Sequence, residues 1–204
     1  MRDIENNTGK IKNFVDDDTL AQWIAMFKRV AHNFTPPNGA DAYNITADQL
    51  GWRWLEKTVF SRLRPLFGDD TGLIFAQYQS SEHPIKIHND FDVELPAGVE
   101  GEPWVSMLIP VSVDHGRGDI ANASTIVLEP GHDPELHRQH LSHCDPDKVA
   151  QYRIRERHVW ERGSLIWWHA PLQHCSNNYL VTNRSKESIV MHLHHPKVDT
   201  QGRT

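Results

Sequence analysis

The feature that most constrains this chain is a change of period at Thr71. Before it, apolar residues recur at helical intervals. Behind Asp18 as N-cap, Leu20, Trp23, Ile24, Phe27, Val30 and Ala31 form one stripe, which stops at the turn Pro36-Pro37-Asn38-Gly39. Thr46 opens a second helix with Leu50, Trp54, Leu55, Val59, Leu63 and Leu66 facing inward, closed by Gly68. After Thr71 come short apolar runs bounded by turn residues: Leu73–Tyr78, Ile85–Ile87, Trp104–Val111, Ser124–Glu129, Ser164–Trp168, Leu172–Cys175 and Ser188–His194. Only Pro134–His143 among the later segments can make a short helix, and the charged stretch Asp147–Glu161 carries no clear period. Strands at close intervals, without helices alternating between them, disfavour a parallel doubly wound sheet. They predict a mostly β fold with N-terminal helices, a two-sheet jelly roll (double-stranded β-helix) buttressed by two helices. The 204 residues suit a single domain, 1–204, with 1–70 as helical support, 71–195 as the jelly-roll core and 196–204 as a tail.

Composition narrows the setting. A formal net charge of −6 offers no basic field for a phosphate backbone, so nucleic acid is not an expected partner. The polar stretch Met1–Asp18 has no apolar core of signal-peptide length, and no later run is long enough to span a bilayer, so no membrane association and a cytoplasmic location are expected. Cys144 and Cys175, each beside a histidine and not in a Cys-x-x-Cys pair, read as free thiols. Fourteen histidines do not by themselves make a metal protein; their positions decide.

Three positions stand out. His88 and Asp90 lie two apart at the end of a short strand, and His174 follows the apolar run Gly163-Ser164-Leu165-Ile166-Trp167-Trp168. Two imidazoles and one carboxylate make a facial ligand set that leaves open positions on an octahedral ion, the arrangement of non-haem iron(II) oxygenases rather than of structural zinc. In a second group, His132, His137, His140 and His143, the last three step by three along a helix and so drift about its axis; a solvated excursion or a lid describes the group better than a second metal site.

The segments His88-Asn89-Asp90, Gly163 through Asn178, and Lys186-Glu187-Ser188-Ile189-Val190-Met191-His192-Leu193 together resemble the iron(II)- and 2-oxoglutarate-dependent oxygenase superfamily, in its phytanoyl-CoA hydroxylase-like and prolyl hydroxylase-like branches. The resemblance covers about residues 71–195. It implies a cupin-like barrel, with His88, Asp90 and His174 as iron ligands and 2-oxoglutarate as cosubstrate. His169 is the rival for the distal histidine, but His174 precedes Ser176-Asn177-Asn178 as the pattern's metal histidine does. For the cosubstrate's distal carboxylate the resemblance implies a cation near the last strand. Lys186 with Ser188 has the better register and Arg184 the better chemistry, a planar fork; Tyr78 is a further candidate donor. The retained Asp90 resembles the hydroxylating members, since halogenating relatives lack this carboxylate.

The implied activity is hydroxylation of an unactivated C–H of a small molecule or amino-acid side chain, consuming molecular oxygen and 2-oxoglutarate and releasing succinate and carbon dioxide. Desaturation and ring closure are allied outcomes. Two other readings compete: a cupin-like metal- or ligand-binding module without catalysis, and a zinc hydrolase, for which the chain has no His-Glu-x-x-His motif. Substrate identity rests on loops such as 92–102 and 115–123, and oligomeric state is unreadable from these patterns.

Overall fold

The structure, a computed structural model, describes residues 4–5, 7–31, 42–81, 85, 87–90, 100–113, 123–130, 153–176 and 186–194. In chain order these form β1 (Thr8–Ile11), α1 (Asp17–Ala31), β2 (Ala42–Thr46), α2 (Ala47–Leu50), α3 (Trp52–Trp54), a π-helical segment (Leu55–Phe60), α4 (Ser61–Phe67), β3 (Gly72–Ser81), β4 (Pro103–Val113), β5 (Ser124–Leu128), β6 (Ile154–Val159), β7 (Leu165–His169), β8 (His174–Ser176) and β9 (Lys186–His194). Six strands make one sheet in the order β1-β7-β4-β9-β3-β2, and three make a second in the order β6-β5-β8. All pairings are antiparallel. This is the expected mostly β, jelly-roll architecture with helices on one side. No helix among the described residues is long and apolar enough to cross a membrane.

Alternation along β9 assigns the layers, because successive strand residues point to opposite faces. Ile189, Met191 and Leu193 join Val105, Met107 and Ile109 of β4 in the core shared with the helices, where Leu20, Trp23, Phe27, Leu63 and Phe67 are fully buried. Each such side chain contributes about 1.5–3 kcal/mol by leaving water, so the helices are held by area rather than by propensity. Val190 faces the other way, packing with Leu108, Ile166, Trp168, Val127 and Leu172 between the two sheets. The large sheet is thus apolar on both faces, and β7 reads as an unbroken apolar run for that reason.

Several elements differ from the sequence reading. Helix α1 begins two residues earlier, capped by Asp16, whose Oδ1 accepts the N–H of Thr19 at 2.7 Å, rather than by Asp18. Thr46 does cap, in a reciprocal box with Gln49, but Gly51 at φ 85° ends that helix after one turn, and the expected continuous helix becomes α2, α3, a π turn and α4. Leu55, Val59 and Phe60 are buried together on the π turn. Strands β1, β2 and β6 were not expected. Of the expected strand Ile85–Ile87, the described residues Ile85 and Ile87 lie outside any strand, and a single bridge joins the next residue, His88, to His174. The small sheet is tied to the edge of the large one by His158 of β6: Thr8 Oγ1 donates to the Trp167 carbonyl at 2.8 Å, so the 2.7 Å contact with His158 is an Nε2–H donated to that oxygen.

Candidate metal centre

Backbone hydrogen bonds bring the three candidate ligands together. The His88 N–H donates to the His174 carbonyl at 3.1 Å and the His174 N–H returns the bond at 2.8 Å, while the Asp90 N–H donates to Ala170, just past β7, at 3.0 Å. The side chains follow. His88 Nε2 lies 3.5 Å from Asp90 Oδ1, His174 Nε2 lies 3.6 Å from Asp90 Oδ2, and the three ligand atoms all fall within 4.8 Å of one another. Asp90 and His174 are buried at 5 % exposure each, whereas the His88 side chain keeps 40 %.

The protons on these groups can be assigned. His174 Nδ1 faces the Leu172 carbonyl at 3.2 Å, an acceptor only, so Nδ1 carries the hydrogen and Nε2 presents its lone pair toward Asp90. Burial drives the His174 pKa down to about 4 against the pull of Asp90, which leaves the imidazole neutral near pH 7. For Asp90, burial opposes ionisation, but the imidazoles of His174, His88 and His192 outweigh it and hold the carboxyl well below its usual range. The Trp168 indole N–H donates to Asp90 Oδ2 at 2.9 Å. Near neutral pH, then, the Nε2 lone pair of His174 and an ionised carboxylate oxygen face each other at 3.6 Å with no hydrogen between them. One indole N–H does not offset the several kcal/mol of desolvating a carboxylate. A cation between them does. Donor atoms each about 2.1 Å from one ion lie at most about 4.2 Å apart, so both separations fit a shared divalent metal.

Beside this cluster a cavity of about 220 Å³ opens between the two sheets, lined among others by Gln77, Gln79, Thr125, Trp160, Val190 and His192.

No protein-family model and no curated protein matches the sequence. Solved structures do match in shape. The non-heme alpha ketoglutarate dependent carbocyclase SnoK from nogalamycin biosynthesis superposes with a TM-score of 0.60 at 12 % identity, over 96 % of this chain and 84 % of that one. HygX from Streptomyces hygroscopicus, with nickel and 2-oxoglutarate bound, gives 0.61 at 10 % identity over 93 % and 83 %. EctD from S. alaskensis, with 2-oxoglutarate and 5-hydroxyectoine, gives 0.61 at 12 % identity over 93 % and 72 %. The fold is that of the 2-oxoglutarate-dependent oxygenases.

Within that fold the other expected residues take the following places. His169 ends β7 with its N–H on the Asn7 carbonyl and is not part of the converging group. Ser188 is buried on β9, opposite Gln79, and shares its parity with Val190 and His192. Lys186 opens β9, paired with Ser81 and Val113; Arg184, the His132–His143 group and Cys144 lie outside the described residues. Tyr78 is a correction. It faces the helices, in the core with Ile189 and Met191 and with Lys28 Nζ 5.3 Å from its ring centroid, so it cannot donate to a ligand between the sheets. A β-bulge between Leu73 and Phe75 reverses the parity of β3, turning Phe75, Gln77 and Gln79 toward the cavity and Tyr78 away from it.

Four residues of the site were missed: Trp168, which bonds Asp90, Gln77 and Gln79 on the cavity wall, and His192 with them. The alternation of β9 puts His192 on the face of Val190, a signal present in the sequence but masked by a strand apolar on both faces.

Proposed function

We propose that this chain is an iron(II)- and 2-oxoglutarate-dependent dioxygenase that hydroxylates an unactivated C–H of a small molecule or amino-acid side chain. The observation that carries this reading is the buried pair of His174 Nε2 and Asp90 Oδ2, two lone-pair-bearing atoms 3.6 Å apart, beside a third ligand and an adjoining cavity. His88, Asp90 and His174 would hold the iron at the cavity that all three residues line. Iron(II) bound there supplies oxygen activation coupled to decarboxylation of 2-oxoglutarate, with succinate and carbon dioxide released and the substrate C–H oxidised.

The protein's own part is positioning. Leu172 fixes the tautomer of His174, Trp168 orients the Asp90 carboxylate, and Leu108, Val190 and Trp168 give the cavity an apolar wall. For the cosubstrate's distal carboxylate we assign Lys186 with Ser188, with Arg184 as the competing cation. Structural neighbours include a carbocyclase and an epimerase, so ring closure or inversion stands beside hydroxyl transfer as an outcome of the same chemistry. A ferrous centre beside the buried thiol of Cys175 suits a reducing compartment, here the cytoplasm.

The test is succinate release from 2-oxoglutarate by the iron-loaded protein, with and without oxygen. Oxygen-dependent succinate, abolished together with metal binding by His174→Ala but retained in His169→Ala, is the expected result. Metal binding without any succinate supports the cupin-like binding module instead, and oxygen-independent hydrolysis with zinc supports the hydrolase.

A further inference from the structure

The cavity wall holds a hydrogen-bond donor that meets no acceptor among the described residues. His192 is 3 % exposed, stacked on Phe75 with ring centroids 4.3 Å apart, and its Nδ1 lies 2.9 Å from Ser106 Oγ. Ser106 is fully buried, and among the described residues its hydroxyl has no acceptor other than that nitrogen. A buried hydroxyl gives its hydrogen to the acceptor it has. Nδ1 is therefore the acceptor, which puts the ring hydrogen on Nε2. With one ring face on Phe75 and Nδ1 on Ser106, the remaining edge of the imidazole is the part that lines the cavity.

The register places this donor at the metal end of the cavity. Trp168 of β7, Ser106 of β4, His192 of β9 and Phe75 of β3 are successive cross-strand partners, one row across the large sheet, and Trp168 is the residue bonded to Asp90. Gln77 and Gln79 belong to the next two rows, about 7 and 14 Å further along the strands. The charge balance then indicates what the donor meets. Two neutral imidazoles and one carboxylate leave a divalent ion with one positive charge, so the ligand completing its open face is anionic, and an N–H beside it in a low-dielectric cavity meets that anion.

We propose that His192 Nε2–H binds the metal-chelating carboxylate of the 2-oxo acid, and that Ser106 is a positioning residue that fixes the imidazole in the donating tautomer. The inference rests on the iron(II)- and 2-oxoglutarate-dependent reading of the site. It adds a protein contact for the cosubstrate at the end opposite Lys186.

The test titrates 2-oxoglutarate, and separately oxalate, into anaerobic Fe(II)- or Mn(II)-loaded protein, followed by the visible absorption of the iron chelate or by calorimetry. Oxalate carries only the chelating end. Wild type binds both acids. His192→Phe keeps the metal affinity and loses about ten- to a hundredfold in affinity for both, the worth of one hydrogen bond to a charged group. His192→Gln, whose amide N–H can reach the position of Nε2, recovers most of that loss, and Ser106→Ala loses about three- to tenfold. If His192→Phe binds both acids as wild type does, or is weakened for 2-oxoglutarate alone, the assignment is wrong. Should His192→Phe fail to fold, wild-type acid affinity in Ser106→Ala overturns it as well. A wild-type protein that takes up the metal but neither acid overturns the oxygenase reading itself.

Discussion

Trp168 shows how a residue of ordinary core chemistry becomes part of a metal site. Its ring is buried between the sheets and its N–H ends on Asp90 Oδ2. Trp168→Phe keeps most of the packing and deletes only the donor. Groups that orient a metal ligand typically carry ten- to a hundredfold in metal affinity, and a loss of about that size is expected, read by competition with a chromophoric chelator. Protonation gives a second test at this scale. An imidazole such as His174, with a pKa near 4 in the fold and 6.5 when unfolded, leaves the unfolded chain binding more protons between those values. The metal-free protein is accordingly most stable above about pH 6.5 and loses on the order of 3 kcal/mol as the pH falls toward 4. Asp90, held below its ordinary 3.8, extends the loss to lower pH in the same direction. Urea unfolding as a function of pH measures the slope, and His174→Gln removes the part that belongs to this residue.

At the scale of elements, β7, whose Trp168 bonds Asp90, depends on the turn before it. Gly163 sits at φ 71°, its N–H on the Pro110 carbonyl and its carbonyl accepting from Val15, and a Cβ there would lie 2.6 Å from the Val15 oxygen. Gly51 has φ 85° but nothing within 4 Å of such a Cβ. Gly163→Ala therefore meets strain and a backbone clash together, and is expected to lose about 1–3 kcal/mol, more than Gly51→Ala, which meets strain alone. Equilibrium denaturation of the two variants decides the ranking. The same scale explains what the sequence hid. The ligand triad was legible because His88-x-Asp90 and His174 flank runs that strand pairing must bring together. Tyr78 was misplaced because a bulge shifts parity without leaving a mark in an apolar run. The β6 strand was unreadable because five of its six residues are not buried and only His158 turns inward. Gly51 and the π turn interrupt a helix whose apolar stripe continues past the break, so periodicity alone read it as one element.

For the molecule as a whole, the candidate metal centre adds a polar junction between two sheets that otherwise meet through the apolar packing of Val127 and Leu172 on Leu108, Ile166, Trp168 and Val190. His174 belongs to the three-stranded sheet, while Asp90 is fastened to the end of β7 in the six-stranded one and His88 bridges to β8 outside either sheet's named strands. An ion shared by these three side chains is a cross-link between the sheets, and it is bound only when they are in place. Ligand that binds the folded state alone stabilises by RT ln(1 + [L]/Kd), about 2.7 kcal/mol at a hundred times Kd. In a chain of 204 residues that amounts to a rise in Tm of roughly 5–11 °C with Mn(II) or anaerobic Fe(II), reversed by chelator. His174→Ala and Asp90→Ala are expected to abolish the rise, because each removes a ligand as well as one side of the inter-sheet link, whereas His169→Ala leaves it intact. An equal rise in all three variants would put the ion elsewhere in the chain, and the absence of any rise in the wild type would leave the facing lone pairs of His174 and Asp90 without the cation their burial calls for.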